Sequence, residues 1–157
     1  MRKFYKIMFL IAAVVIAAGY LIPEKKAMPC CTPSDYNHQS SPIVSQTGGL
    51  VIYAKEMEGK AGKSVFVLGP KWRIHEYLHL HTIDTKFLDF VRPGEQIATL
   101  GKSGNAASTP AHVHYGIITP IPYVWKVFGS AGTCNPPKSF NWRLMFWLNP
   151  IEHLPVE

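Results

Sequence analysis

Short apolar or alternating runs follow one another from residue 42 to residue 118, each closed by Gly, Pro or Lys. Alternation with a period of two is typical of β-strands, and nothing between the runs has a convincing helical period. The links are too short for crossover helices, which favours antiparallel neighbours. The sequence therefore predicts an all-β domain, an antiparallel sheet or sandwich, with strands at 42–44, 50–54, 64–68, 73–80, 96–100 and 112–118.

The N-terminal segment is basic at its start and then almost entirely apolar. Arg2, Lys3 and Lys6 precede an apolar run over 7–22 that no polar stripe interrupts. Basic residues before such a run favour a cytoplasmic N-terminus, so residues 1–22 are predicted to form a signal peptide or membrane-anchor helix. Because the run is short for a membrane span, cleavage after Gly19 stays open beside anchoring in the inner membrane. Either outcome predicts an exported protein of the periplasm or cell envelope.

The remainder of the 157 residues divides into three segments, of which the middle one is predicted to be the folded domain. Residues 23–41 are rich in Pro, Ser, Lys and Cys, which indicates a tether and entry loop. Residues 42–118 contain the predicted strands, with glycine-bearing turns at 92–95 and 101–105. Residues 119–157 are rich in aromatic side chains and are expected to pack on that core. The formal net charge of +6 favours an anionic polymer or membrane surface nearby, without deciding which.

Three cysteines lie in the part of the chain that would be exported. An oxidising compartment permits a disulfide between Cys134 and one member of the adjacent pair Cys30 and Cys31. One thiol is then left over.

Four of the seven histidines stand in two His-x-His triplets, at 79–81 and 112–114. Residues i and i+2 of a strand project to the same face, so each triplet can present two imidazoles side by side. Imidazole is a zinc ligand and also moves protons near neutral pH. The alternative interpretation is that these four residues are ordinary surface histidines on the polar face of alternating strands. The run of His75, Tyr77, His79 and His81 would place four polar-tipped rings on one strand face, which indicates a wet cleft, because burial would cost desolvation.

The histidine block and its surroundings resemble the lysostaphin-type (LytM-like) zinc endopeptidases, which cut peptides of bacterial peptidoglycan. The resemblance covers about residues 35–118, and the ordered combination of motifs is more specific than any single one. The opening strands at 42–45 and 49–51 look like that family's first strand pair. The matching motifs are Tyr77-Leu78-His79-Leu80, Val91-Arg92-Pro93-Gly94-Glu95-Gln96-Ile97, Leu100-Gly101-Lys102-Ser103-Gly104-Asn105 and Ser108-Thr109-Pro110-Ala111-His112-Val113-His114-Tyr115.

The resemblance implies a role for three of these histidines. His114 becomes a Zn²⁺ ligand, and His79 and His112 lie beside the attacking water, which they orient or deprotonate. His81 has no role in the family and is expected to be exposed.

The other two ligands of the family come from a His-x-x-x-Asp motif that departs here from the pattern. Cys31 stands in the histidine position and Asp35 in the aspartate position. Thiolate binds zinc well, so Cys31, Asp35 and His114 can form a three-ligand site with an open position. Two alternatives remain: His38 replaces Cys31, or Cys31 is in a disulfide and binds no metal.

The resemblance and the export segment together predict a zinc-dependent endopeptidase that hydrolyses peptide bonds of bacterial peptidoglycan. Peptidoglycan peptides are the expected partner, with the membrane as a second partner if residues 1–22 are retained. A nucleic-acid partner is not expected, because export would separate the protein from it. The alternative is a catalytically degenerate domain of the same fold that binds cell wall or regulates another hydrolase.

Overall fold

The computed structural model describes residues 2–21, 40–122 and 146–148. Within these ranges it contains one α-helix, α1 (Arg2–Leu21), and two 3-10 turns, Pro70–Trp72 and Gly104–Ala106. Its strands are β1 (Pro42–Val44), β2 (Gly49–Met57), β3 (Gly62–Leu68), β4 (Ile74–Leu78), β5 (Phe90–Val91), β6 (Gln96–Thr99), β7 (His114–Ile118) and β8 (Trp147–Leu148).

The strands form a large sheet and a small one. The large sheet has six strands in the order β5-β2-β3-β4-β7-β8, and β1 pairs with β6 in the small sheet. Every pairing is antiparallel, which confirms the predicted fold class. One buried apolar cluster joins the two sheets, with Val65 and Ile117 from the large sheet and Ile43 and Ile97 from the small one. The first two strands do not pair with each other as expected, because β1 lies in the small sheet.

The predicted strand at 73–80 ends earlier than its sequence pattern suggests. β4 stops at Leu78 because His79 has φ = 65°, a left-handed backbone conformation that cannot continue a strand. The alternation that put four rings on one face is therefore broken. His75 and Tyr77 are buried in the core rather than in a wet cleft, so that interpretation was wrong for both. Hydrogen bonds within the core offset the cost of burying them.

The N-terminal helix presents apolar side chains to solvent, among them Phe9, Leu10 and Val14. It meets the β-domain at the Pro70–Trp72 turn, where the indole Nε1–H of Trp72 donates to the carbonyl of Ile16 at 3.2 Å. In the described part of the chain, no helix combines the length and hydropathy needed to cross a membrane.

Candidate functional site

The fold brings together three histidines that the sequence singled out. The ring centroid of His79 lies 5.1 Å from that of His112 and 6.2 Å from that of His114. His79 directly follows β4, whereas His114 opens β7 and pairs with Leu78. His112 lies in the loop before β7, so its proximity to His79 depends on the path of that loop and not on strand alternation. The cluster is therefore built where two neighbouring strands meet their loops.

Backbone contacts anchor each of the two histidine-bearing loops to a neighbouring segment, and Gly101 lies between the two loops. The N–H of His79 donates to the carbonyl of Ala61 at 3.1 Å, and the N–H of His112 donates to that of Gly101 at 3.0 Å. A Cβ placed on Gly101 would lie 2.3 Å from the backbone nitrogen of His81 and 2.5 Å from the carbonyl carbon of Leu80. Only glycine permits so close an approach, so Gly101 sets the separation of the two loops.

Two backbone carbonyls select the tautomers of His79 and His112. The Nδ1 atom of His79 lies 3.0 Å from the carbonyl oxygen of Ser103, and the Nδ1 atom of His112 lies 2.9 Å from that of Pro110. A carbonyl oxygen can only accept, so Nδ1 carries the hydrogen in both rings. In the neutral form of each imidazole, Nε2 then holds the free lone pair. Both rings are thereby prepared to accept a proton or a metal at Nε2.

Burial and mutual repulsion favour the neutral form at two of the three positions. The pKa of His114 is lowered first by burial, then by the nearby His79 and His112. Burial also lowers the pKa of His79, with a further decrease from His112, while the hydrogen bond to Ser103 opposes both. Neutral imidazole is the form that binds metals and takes up protons.

A buried polar network lies behind the cluster and ties β4 to β7. The Nδ1 atom of His75 lies 2.7 Å from the hydroxyl of Tyr115, which also hydrogen-bonds Tyr77. The hydroxyl of Tyr77 accepts the N–H of Gln46 at 2.8 Å. Burial, with a smaller contribution from Arg73, lowers the pKa of His75 to about 3, so this ring stays neutral. The network fixes the two strands that lead to His79 and His114.

Comparison with known proteins places this arrangement in a family. The sequence model of peptidase family M23 matches residues 35–124, which is more than half of the chain. The chain belongs to peptidase family M23. This confirms the resemblance to lysostaphin-type peptidases drawn from the motifs. A search of curated protein sequences found no match.

Several solved structures share the fold. The antimicrobial peptidase lysostaphin from Staphylococcus simulans superposes with a TM-score of 0.56 at 18% identity, over 83% of this chain and 49% of the lysostaphin chain. The separate catalytic domain of lysostaphin gives 0.54 at 16% identity, over 82% and 85% of the two chains. A LytM protein from Ruminococcus gnavus, named as a glycyl-glycine endopeptidase, gives 0.51 at 26% identity, over 56% and 37%. The chain thus spans about half of lysostaphin and less of the LytM protein.

Of the remaining residues singled out from the sequence of this M23 member, His81 lies in the described part of the chain. His81 is exposed, and its main-chain carbonyl accepts the Lys63 ammonium at 2.8 Å. The proposed ligands and disulfide cysteines lie outside the described residues: Cys30, Cys31, Asp35, His38 and Cys134. Among the described residues, no group of three or more His, Cys, Asp or Glu side chains is arranged to hold a metal ion.

One buried polar residue of the same sheet region was not predicted from the sequence pattern. Glu76 is only 5% exposed, and burial raises its pKa to about 7. The pattern of β4 hid it, because a single acidic residue in an alternating run is usually the solvent-facing member of the strand. Its burial depends on residues far away in the sequence that cover it.

Proposed function

We infer that this M23 family member is a zinc-dependent endopeptidase that hydrolyses peptide bonds of bacterial peptidoglycan. The observation that carries the proposal is the cluster of His79, His112 and His114, in which two rings keep Nε2 free and the third is neutral. A metal-assisted hydrolase needs a metal ligand and a proton acceptor beside the same reacting atoms. This cluster provides both kinds of group.

His114 fits the role of metal ligand. It is half-buried, its pKa is lowered, and no hydrogen bond among the described residues occupies either ring nitrogen. Asp35 together with Cys31 or His38 would complete a three-ligand set with the donor types that zinc takes. Bound there, Zn²⁺ would polarise the scissile carbonyl and lower the pKa of the attacking water.

His79 and His112 fit the role of proton carriers. Each can take the proton of the attacking water at Nε2 and return it to the amine that leaves as the peptide bond breaks. The carbonyls of Ser103 and Pro110 prevent either ring from turning Nδ1 toward the substrate without losing a hydrogen bond. His79 is the more buried of the two, so it is the better shielded base.

Peptidoglycan as the substrate and export as the route are proposed together. The family match and the lysostaphin-like fold support a cell-wall peptide, and the apolar side chains exposed along α1 support an export segment. The formal net charge of +6 suits an anionic polymer such as the cell wall.

The test combines metal content with hydrolysis. Purified full-length protein is assayed for bound zinc by atomic absorption and for release of new amino groups from peptidoglycan. His114→Ala is expected to lose zinc and hydrolysis together. His79→Ala is expected to keep zinc and to lower kcat by about 10²–10⁴-fold.

His81→Ala is the matched control, because it removes an exposed imidazole that lies outside the cluster, and it should retain wild-type rates. Folded wild-type protein with neither zinc nor hydrolysis would refute the proposal. Zinc content of Cys31→Ser, Asp35→Ala and His38→Ala then identifies the other ligands. If peptidoglycan is bound but never cleaved, and none of these variants alters metal content, the degenerate binding domain is the better description.

A further inference from the structure

Three large apolar side chains lie exposed within four residues between β4 and β5. Phe87 is 63% exposed, Leu88 61% and Phe90 70%. Of the other large apolar side chains described in the β-domain, only Ile121 is also exposed. We call Phe87, Leu88 and Phe90 the apolar knob. Grouped apolar side chains of this kind on a surface are typical of a contact with a partner or with lipid.

The knob is built on a fixed β-turn from Lys86 to Asp89. The N–H of Asp89 donates to the carbonyl of Lys86 at 3.1 Å, and the N–H of Leu88 donates to that of Val51 at 2.8 Å. The carboxylate of Asp89 accepts the N–H of Lys86 at 2.7 Å, so this acidic group is used inside the turn. Phe87 and Leu88 are the two central residues, and the turn holds both side chains outward.

Neither the turn nor the core accounts for a leucine at position 88. Leu88 has φ = 72° at the third position of the turn, where a type II turn favours glycine or asparagine. A leucine adopts this left-handed conformation at an energetic cost. Because its side chain is exposed, packing in the core recovers little of that cost. The leucine therefore indicates a contact outside the chain.

An apolar row connects the knob to the N-terminal helix. Across the large sheet, Phe90 pairs with Leu50 and Leu50 pairs with Leu68, so the three side chains lie on one face. Leu68 ends β3 shortly before the turn that contains Trp72, whose indole donates to the carbonyl of Ile16 in α1. The row thus leads from the knob to the turn that contacts the apolar helix.

These features favour a lipid bilayer as the occupant. The knob projects from a turn, and Phe and Leu side chains insert in this way into the boundary between headgroups and acyl chains. Lys86 and Arg92 flank the knob, both exposed and without an ion pair among the described residues, so their cations can lie beside lipid phosphates. The same bilayer would cover the apolar side chains of α1, which a protein partner fitted to the knob would leave in water.

The knob is remote from the histidine cluster. The sheet order places Phe90 on an edge strand, four strands from β7, and its apolar row continues through Ile74 to Ile118. His114 lies at the other end of β7 from Ile118. With strands about 4.8 Å apart and about 3.3 Å per residue, Phe90 and His114 are on the order of 20 Å apart. Lipid at the knob therefore does not cover the cluster.

We propose that the apolar knob is a membrane-contact surface, which inserts Phe87, Leu88 and Phe90 into the headgroup boundary of an anionic phospholipid bilayer. The inference goes beyond the proposed function, because it requires neither zinc nor hydrolysis. Contact at both α1 and the knob would bind the protein more tightly than either contact alone, because the second contact is intramolecular.

The first test measures sedimentation of the full-length protein with vesicles of phosphatidylcholine that contain a minority of phosphatidylglycerol. A variant that combines Phe87→Ser, Leu88→Asn and Phe90→Ser is expected to lower the partition coefficient about tenfold or more, because three apolar side chains no longer leave water. Met57→Ser is the control. Met57 is a partly exposed apolar residue at the far end of β2 from the knob, so its loss should leave the partition coefficient unchanged.

Leu88→Asn alone separates lipid contact from folding. Asparagine suits the left-handed position of the turn, so the Tm of this variant should equal or exceed that of wild type. Its partition coefficient should nevertheless fall severalfold. A lower Tm with unchanged lipid binding would show that Leu88 serves the fold, and would overturn the inference.

Phe87→Trp locates the contact. Brominated phosphatidylcholine in the vesicles quenches tryptophan that lies close to the acyl chains. The fluorescence that Phe87→Trp adds to that of wild type should be quenched, whereas the fluorescence that Met57→Trp adds should not.

The bilayer is the wrong occupant if wild type does not bind the vesicles, if the combined variant binds them as tightly as wild type, or if the added fluorescence of Phe87→Trp is not quenched. If light scattering shows that wild type is a dimer and the combined variant a monomer, a second copy of the chain covers the knob instead. Circular dichroism reports folding, and Phe87→Ser alone decides the question if the combined variant does not fold. Vesicle binding is measured without substrate, so a catalytically inactive wild type leaves this test intact.

Discussion

Removing the hydroxyl of Tyr115 is the sharpest test of the network that aligns β4 with β7. Tyr115 is 3% exposed, and its hydroxyl bonds the fully buried His75 and also Tyr77. The Nε2 atom of His75 already lacks a partner among the described residues, so Tyr115→Phe leaves that imidazole with no hydrogen bond there. An unsatisfied buried group costs about 1–3 kcal/mol, and we expect a loss of about 2 kcal/mol in the free energy of unfolding.

The assay is urea unfolding at pH 7.5, followed by tryptophan fluorescence and circular dichroism, with a thermal melt in parallel. A loss of about 2 kcal/mol corresponds to a fall in Tm on the order of 5–10 °C. Tyr53→Phe is the matched control, because its hydroxyl bonds an exposed carbonyl, that of Glu56, at 3.2 Å. It should change the free energy of unfolding by less than about 0.5 kcal/mol. Equal effects of the two substitutions would refute the role given to the buried network.

Three further predictions concern stability. Burial raises the pKa of Glu76 from 4.5 to about 7, so the folded state binds this proton more tightly than the unfolded state. The free energy of unfolding of wild type should therefore fall by up to about 3 kcal/mol as the pH rises from 4.5 through about 7. Urea unfolding of Glu76→Gln between pH 4 and 8 should not show this loss. If the free energies of unfolding of wild type and Glu76→Gln change in parallel with pH, the prediction is contradicted. Burial lowers the pKa of His75 from 6.5 to about 3, so wild type loses stability as pH falls below 6.5. Urea unfolding of His75→Gln over the same pH range should show no such loss of stability at low pH. A His75→Gln profile that falls like that of wild type below pH 6.5 would contradict the prediction. Gly101→Ala places a Cβ 2.3 Å from the backbone nitrogen of His81 and should lower the free energy of unfolding, measured by thermal unfolding, by more than about 3 kcal/mol. Gly48→Ala is the control, because its Cβ would lie 3.2 Å from the side chain of Pro93, and it should lower the free energy of unfolding far less.

The alternating pattern was sufficient to predict the fold class and the position of most strands. β1 has the predicted bounds, and β2, β3 and β6 lie within a few residues of theirs. β5 and β8 have two residues each, which is too short for any period to appear in the sequence. The end of β4 was also missed, because the left-handed conformation of His79, whose N–H donates to the carbonyl of Ala61, leaves no mark on the alternating pattern.

By itself, the sequence determined the antiparallel class, the family and the three histidines of the cluster. Those depend on residue order, on side-chain chemistry and on a period of two, all of which are local properties. Only the tertiary structure decided which histidine is buried in the core, which is exposed and which tautomers the cluster holds. His75, His79 and His81 alternate identically in the sequence, yet one bonds Tyr115, one bonds the Ser103 carbonyl and one is exposed. The partners of His75 and His79 lie on distant segments, and burial in the folded chain lowers the pKa of both rings.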